Sequence, residues 1–262
     1  MSQYKYEKAG PDVLRLDDGK HSSFYLVKGE NSALLIDTGM GDEPLAPYIR
    51  SLTELPVTLF VTHGHGDHIR HANEFETVYL NPADIPILEG AFRRLGIAET
   101  VDPNGFLPAE DGEIKEDGDF SVFCVNAGGH SPGSMVFYEQ KRHLLFTGDA
   151  VGSGAGVWMQ LPGSLPVSEY RKNLQQLEAF WTELPEDTQV FSGHYAQRFF
   201  HSSGDNPVCL DLVRDMITLC SLILEGKEER KPAPEMMVRE IRPAYTAEYG
   251  RASMVYTEHV IR

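Results

Sequence analysis

The chain has 262 residues, 41% of them hydrophobic, and its 39 acidic side chains outnumber the 23 basic ones to leave a formal charge of −16. That length and apolar content suffice for a sizeable core and predict a single domain over residues 1–262. The acidity argues against nucleic acid, whose phosphates are bound by exchanging counterions for Lys and Arg, and against an anionic membrane surface. The cysteines, Cys124, Cys209 and Cys220, are odd in number and far apart, so neither a disulfide framework nor a CxxC site is expected. The first residues show no apolar signal region, and no run approaches the roughly 20 apolar residues of a membrane span. A cytoplasmic location is therefore expected.

In chain order, Ser23–Val27 and Ala33–Asp37 flank a Lys-Gly-Glu-Asn turn and predict a hairpin. A helix is expected around Leu45–Leu52, and Val57–Thr62 is a continuous apolar run of the kind buried on both faces of a sheet. A helix starting near His68, a strand at Thr77–Leu80 and a helix at Ala83–Leu95 continue an alternation of strand and helix. Residues 102–119 are rich in Pro, Gly and acids and read as a loop. Strands follow at Phe120–Val125, Ser134–Tyr138 and His143–Thr147. Ser168 is expected to cap a helix whose stripe is Tyr170, Leu174, Leu177 and Trp181, and Thr188–Phe191 is the next strand. Asn206-Pro207 predicts the start of a last helix with Val213, Ile217, Cys220 and Leu224 on one face, before a charged loop at Gly226–Pro234 and a β-like tail.

The chemistry concentrates in His63-Gly-His65-Gly-Asp67-His68, three imidazoles and a carboxylate within six residues at the end of the apolar strand. Composition alone produces such a run in about one chain per thousand. Neutral imidazole and carboxylate are metal ligands, and the glycines let the backbone curl so that several side chains converge. His130, Asp149 and His194 each follow a glycine just past an expected strand end, where rigid scaffolds carry their functional loops. Trp158, Met159, Leu161, Pro162 and Leu165 read as an apolar, glycine-flanked loop; Trp158 and Met159 are candidates for the wall of a substrate pocket.

The ordered set Asp37, His63-x-His65-x-Asp67-His68, His130, Asp149 and His194 resembles the motifs of the metallo-β-lactamase superfamily, in its glyoxalase II and lactonase-like branch. The resemblance implies an α/β fold, an αββα four-layer sandwich with metals at one edge of the sheets. Carried over by motif, it implies that His63, His65 and His130 hold one divalent ion and Asp67, His68 and His194 a second, with Asp149 bridging them and Asp37 steadying the ligand loop through hydrogen bonds. Zinc is the default metal; iron and manganese suit the same donors.

The chemistry so implied is hydrolysis of a small thioester, ester or lactone. Two ions roughly 3.5–4 Å apart acidify a shared water and stabilise the oxyanion that its attack creates. Asp149 is the candidate proton donor to the leaving atom, with Asp67 beside it. Only 45 residues separate Asp149 from His194, too few for the inserted domain of RNA-processing relatives. Two rivals remain: a persulfide-dioxygenase-like oxidoreductase using one iron held by two histidines and an aspartate, and a non-catalytic metal-binding module. No sequence feature assigns an oligomeric state.

Overall fold

The computed structural model describes residues 3–20, 22–88, 90, 105–201, 204–239 and 241–261. A seven-stranded sheet runs in chain order, β1 (Lys5–Lys8), β2 (Val13–Asp17), β3 (Ser23–Lys28), β4 (Ala33–Ile36), β5 (Val57–Phe60), β6 (Thr77–Leu80) and β7 (Leu107–Pro108). It is antiparallel through β4 and parallel from β4 to β7. A five-stranded sheet contains β8 (Ile114–Asp117), β9 (Phe120–Asn126), β10 (Met135–Glu139), β11 (Leu144–Gly148) and β13 (Gln189–Ser192), in the order β13-β11-β10-β9-β8.

Side-chain alternation explains why these sheets stack. From the first sheet Tyr25, Val27, Leu34, Ile36 and Phe60 meet Phe120, Val122, Cys124, Phe137, Phe146 and Phe191 of the second in one buried cluster. The opposite face of the first sheet, with Leu26, Leu35, Leu59 and Val78, is covered by Leu45 and Ile49 at the start of and within α1 (Ala46–Leu52) and by Ile69 of α2 (Gly66–Ile69). The opposite face of the second sheet, with Val125, Val136, Tyr138 and Leu145, packs on α3 (Val167–Thr182) and α4 (Leu210–Glu225). The result is the expected helix–sheet–sheet–helix sandwich. Among the described residues, no helix is long and apolar enough to cross a membrane.

Several expectations are corrected. The helix near His68 is a single turn, because Thr38 N–H donates to His68 O and draws the backbone toward β4. α3 begins at Val167 after Pro166, so Ser168 lies inside the helix rather than at its cap. α4 begins at Leu210, not at Asn206-Pro207: the Asn206 amide instead donates to Gly154 O and Arg251 O, tying two loops together. Its buried face, with Leu212, Val213, Met216, Leu219, Cys220 and Ile223, leaves Ile217 and Leu224 only partly covered. The loop expected over 102–119 contains β7 and β8, and the charged loop near 230 contains a strand, β14 (Arg230–Pro232). Residues 85–88 are helical as expected, but most of the rest of the helix expected to reach Leu95 lies outside the described residues.

A third sheet joins β12 (Val157–Met159), β16 (Ala252–Thr257), β15 (Ala244–Tyr249) and β14. β12 pairs with β16 in parallel, Trp158 opposite Val255, so the part of the apolar segment that holds Trp158 and Met159 is a strand rather than a loop.

Candidate metal centre

Asp37, Asp149 and His194 lie just past the carboxyl ends of β4, β11 and β13, His63 lies three residues beyond β5, and His130 sits in the β9–β10 connection at the same edge. The β11–β13 pairing shifts register between Phe146 and Gly148, and Gly193 N–H then donates to Gly148 O at 3.0 Å. This irregularity brings Asp149 and His194 together, as bulges beside sites commonly do. Gly193 admits no side chain: a Cβ there would stand 2.4 Å from Asp149 Oδ1 and 2.9 Å from His68 Cε1.

The structure gathers all seven expected ligands into three overlapping groups: His63, His65 and His130; His63, His68 and Asp149; and Asp67, His68 and His194. Within each group the donor atoms lie within 4.8 Å of one another. Asp149 Oδ2 reaches histidines of both expected sets, at 3.1 Å from His194 Nε2 and 3.8 Å from both His68 Nε2 and His130 Nε2. Asp67 Oδ2 lies 3.5 Å from His68 Nε2 and 3.4 Å from His194 Nε2. His63 Nε2, His68 Nε2 and Asp149 Oδ1 are buried without a hydrogen-bond partner. Three such atoms converging would be costly unless a cation satisfied them, so the residues fit a metal centre.

The tautomers are set from behind by Asp37. Its Oδ1 accepts from Thr62 N–H at 2.7 Å, and its Oδ2 accepts from the Thr62 hydroxyl and from His68 Nδ1–H, each at 2.8 Å. With its proton given to Asp37, Thr62 Oγ1 is left to accept from His63 Nδ1–H at 3.1 Å. One carboxylate therefore turns Nε2 of both His63 and His68 toward the centre, the usual way that outer hydrogen bonds orient ligands. His130 Nδ1–H donates to Trp158 O at 2.7 Å, and its Nε2 converges on His65 Nδ1 at 2.8 Å.

The electrostatics divide the site. Burial and the neighbouring imidazoles hold His63 well below the ordinary histidine range; burial pulls His65 down to about 3 and also lowers His130. Burial also opposes charge on His194, but Asp149 and Asp67 outweigh it and raise His194 to about 9; His68 is raised likewise by Asp67, Asp37 and Asp149. Burial works against ionised Asp67 and Asp149 too, yet the facing histidines hold both below the usual carboxylate range. One half thus offers neutral imidazoles ready to ligate, while the other exchanges protons for a cation.

Sequence reasoning missed Asp84, which at Asn81-Pro-Ala-Asp84 reads as an ordinary helix start. Fully buried, it accepts from Gly64 N–H and Gly133 N–H at 2.6 Å each and from the Ser131 hydroxyl at 2.8 Å. It thereby ties the loop of His63 and His65 to the loop of His130. Asp84→Asn, which turns one acceptor into a donor, is expected to weaken retention of the ion at His63, His65 and His130 by about 10- to 100-fold. Competition titration against a chromophoric chelator measures this, with the Asp67, His68 and His194 group affected less.

A cleft of about 1090 Å³ opens from the centre and is lined by His65, Asp67, His130, Asp149, His194 and Trp158. Met159, expected beside Trp158, is instead fully buried in the core and does not line the cleft, because successive residues of a strand face opposite sides. Among the histidines assigned no ligand role, His71 is buried and structural, with Nδ1 at 2.7 Å from Glu74 Oε1, and His21 lies outside the described residues.

The family model of the metallo-beta-lactamase superfamily matches residues 17–194. The probable metallo-hydrolase YqgX of Bacillus subtilis (strain 168) is 28% identical over 184 residues, 65% of this chain and 83% of that protein. The acyl-coenzyme A thioesterase MBLAC2 of Homo sapiens is 28% identical over 251 residues, 78% of this chain and 87% of that protein. The crystal structure of the BLEG-1 B3 metallo-beta-lactamase superposes with a TM-score of 0.53 at 27% identity, covering 76% of this chain and 97% of that one.

Proposed function

Because the chain belongs to the metallo-beta-lactamase superfamily, we propose that it is a two-metal hydrolase of small acyl thioesters, with esters and lactones as related substrates. The observation that carries this reading is the convergence of the seven expected ligands, among whose donor atoms His63 Nε2, His68 Nε2 and Asp149 Oδ1 are buried without a hydrogen bond. His63, His65 and His130 would hold one ion, Asp67, His68 and His194 the other, and Asp149 both. When bound, two divalent ions, zinc by preference, would polarise an acyl carbonyl and acidify water near neutral pH.

The chain's own residues do the rest. Asp37 and the Trp158 carbonyl fix the imidazole tautomers, so the ligands need no reorganisation. Asp67 and Asp149 are ionised and line the cleft, where each can accept a proton from the attacking water. Asp149 then returns a proton to the leaving atom. Water and a thioester become a carboxylate, a thiol and one proton released to solvent, the thiol being a leaving group acidic enough to depart with little help. The thioesterase named among the relatives supports thioesters as the first class to test.

Metal removal tests the reading. Dialysis against a chelator is expected to abolish thiol release from decanoyl-coenzyme A, and two equivalents of zinc per chain to restore it. Activity that persists in demonstrably metal-free protein contradicts the reading.

A further inference from the structure

Besides the expected ligands, the cleft is walled by Met40, Trp158, Leu161, Phe200, Met236 and Met237. Two of these large apolar side chains are left to solvent, Phe200 at 72% and Met236 at 81% exposed. Large apolar groups exposed at the mouth of a cleft mark a ligand surface. On the same wall the Arg239 guanidinium lies 4.3 Å over the Trp158 ring. Arg239 enters no ion pair with a carboxylate among the described residues, although the chain is strongly acidic.

The placement of Arg239 is built in. Gln160, fully buried, donates its Nε2–H to Met237 O at 2.5 Å and accepts Arg239 N–H through Oε1 at 3.2 Å. One side chain thus grips residues 237–239 as a neighbouring strand would. Arg239 Nη1 donates to the carbonyls of Met236 and Val238, which aims the guanidinium along the Trp158 face and leaves further in-plane donors available. Trp158 carries this shelf while its own carbonyl holds His130, so the cation stands one residue away from the metal centre. The segment lies beyond residue 194, where the family match ends.

We propose that the Arg239–Trp158 shelf is a subsite for a phosphate on the thiol half of an acyl thioester, with the acyl chain lying along Phe200, Met236 and Leu161. The proposal rests on the thioesterase reading above. The two halves of a thioester diverge from its carbonyl, one apolar and one polar, and the cleft offers one surface of each kind. A guanidinium stacked on an aromatic ring keeps its edge for a bidentate phosphate contact. The acidic surface disfavours anions elsewhere, and Lys20, the other cation lining the cleft, is paired with Asp42 at 3.0 Å, so phosphate recognition falls to Arg239.

The test is direct binding of thioethers, which lack the hydrolysable carbonyl, measured by calorimetry on metal-loaded protein. S-decyl-coenzyme A and S-decyl-4′-phosphopantetheine are compared with S-decyl-N-acetylcysteamine, whose thiol half is neutral. The wild type is expected to bind the phosphorylated ligands at least about tenfold more tightly than the neutral one. Arg239→Gln is expected to reduce that ratio below about threefold, and Arg239→Lys to recover part of it. An unchanged ratio in Arg239→Gln overturns the phosphate subsite. Equal affinity for the two phosphorylated ligands assigns recognition to the phosphate that they share; tighter binding of the coenzyme A form assigns it to the nucleotide phosphates.

Preference for S-decyl- over S-ethyl-coenzyme A tests the apolar surface. It is expected to fall about fivefold or more in a Phe200→Ser, Met236→Ser double variant, whose exposed positions contribute little to folding. A preserved preference overturns the chain site. Hydrolysis of decanoyl-coenzyme A is assayed separately. Arg239-dependent binding without hydrolysis removes the thioesterase reading and keeps the subsite, whereas hydrolysis with Arg239-independent binding does the reverse.

Discussion

Asp149→Asn is expected to lower kcat/KM for thioester hydrolysis by about 10²- to 10⁴-fold, the range associated with a positioned proton-transfer group, and to reduce metal content below two ions per chain. The substitution preserves shape, which matters because the site leaves no slack: Gly193 has no room even for a methyl group beside Asp149 Oδ1. What is lost is charge. Asp149 Oδ2 is the carboxylate oxygen within 4 Å of histidines from both ligand sets, and it opposes the positive charge of His194. A neutral amide can present only one oxygen, and its nitrogen repels a cation. Circular dichroism separates this loss from unfolding. Full activity with full metal content in Asp149→Asn would remove the residue from its assigned role.

Asp37→Ala is expected to act on both ions although Asp37 belongs to neither ligand set. The side chain holds Thr62 and His68 directly and His63 through the Thr62 hydroxyl. Its removal frees both imidazoles to rotate, at about 10- to 100-fold in metal affinity. It also orphans buried donors, at about 1–3 kcal/mol each. The backbone adds to this, since Asp37 has φ 61, a left-handed conformation that aspartate tolerates better than alanine. Metal titration and the melting temperature of the metal-free protein report the two effects separately. Asp37→Asn, which keeps an acceptor, is expected to recover stability more than affinity.

Where function depended on local spacing, the sequence was informative. Val57–Thr62 is continuously apolar because β5 is buried between α1 and the second sheet, and the histidines begin where it ends. Thr77–Leu80 is a strand over those same residues. His130, Asp149 and His194 are far apart in the chain, but each follows a glycine at a strand end, a pattern visible without coordinates.

Other features depend on partners that leave no local trace. β12 reads as a loop because its partner, β16, lies about a hundred residues away, and that pairing decides that Trp158 faces the cleft while Met159 enters the core. Asn206-Pro207 has the chemistry of a helix start, yet the Asn206 amide is taken by Gly154 and Arg251. Asp84 and Gln160 are single polar residues whose roles exist only through backbone groups brought near by folding.

Anomalous diffraction from zinc-loaded crystals tests the two-metal centre most directly. The expected result is two peaks per chain at the zinc edge, one among His63, His65 and His130 and one among Asp67, His68 and His194, with Asp149 contacting both. A single peak, or one iron held by two histidines and an aspartate in protein as purified, would contradict the two-metal centre and favour oxidoreductase chemistry at this site.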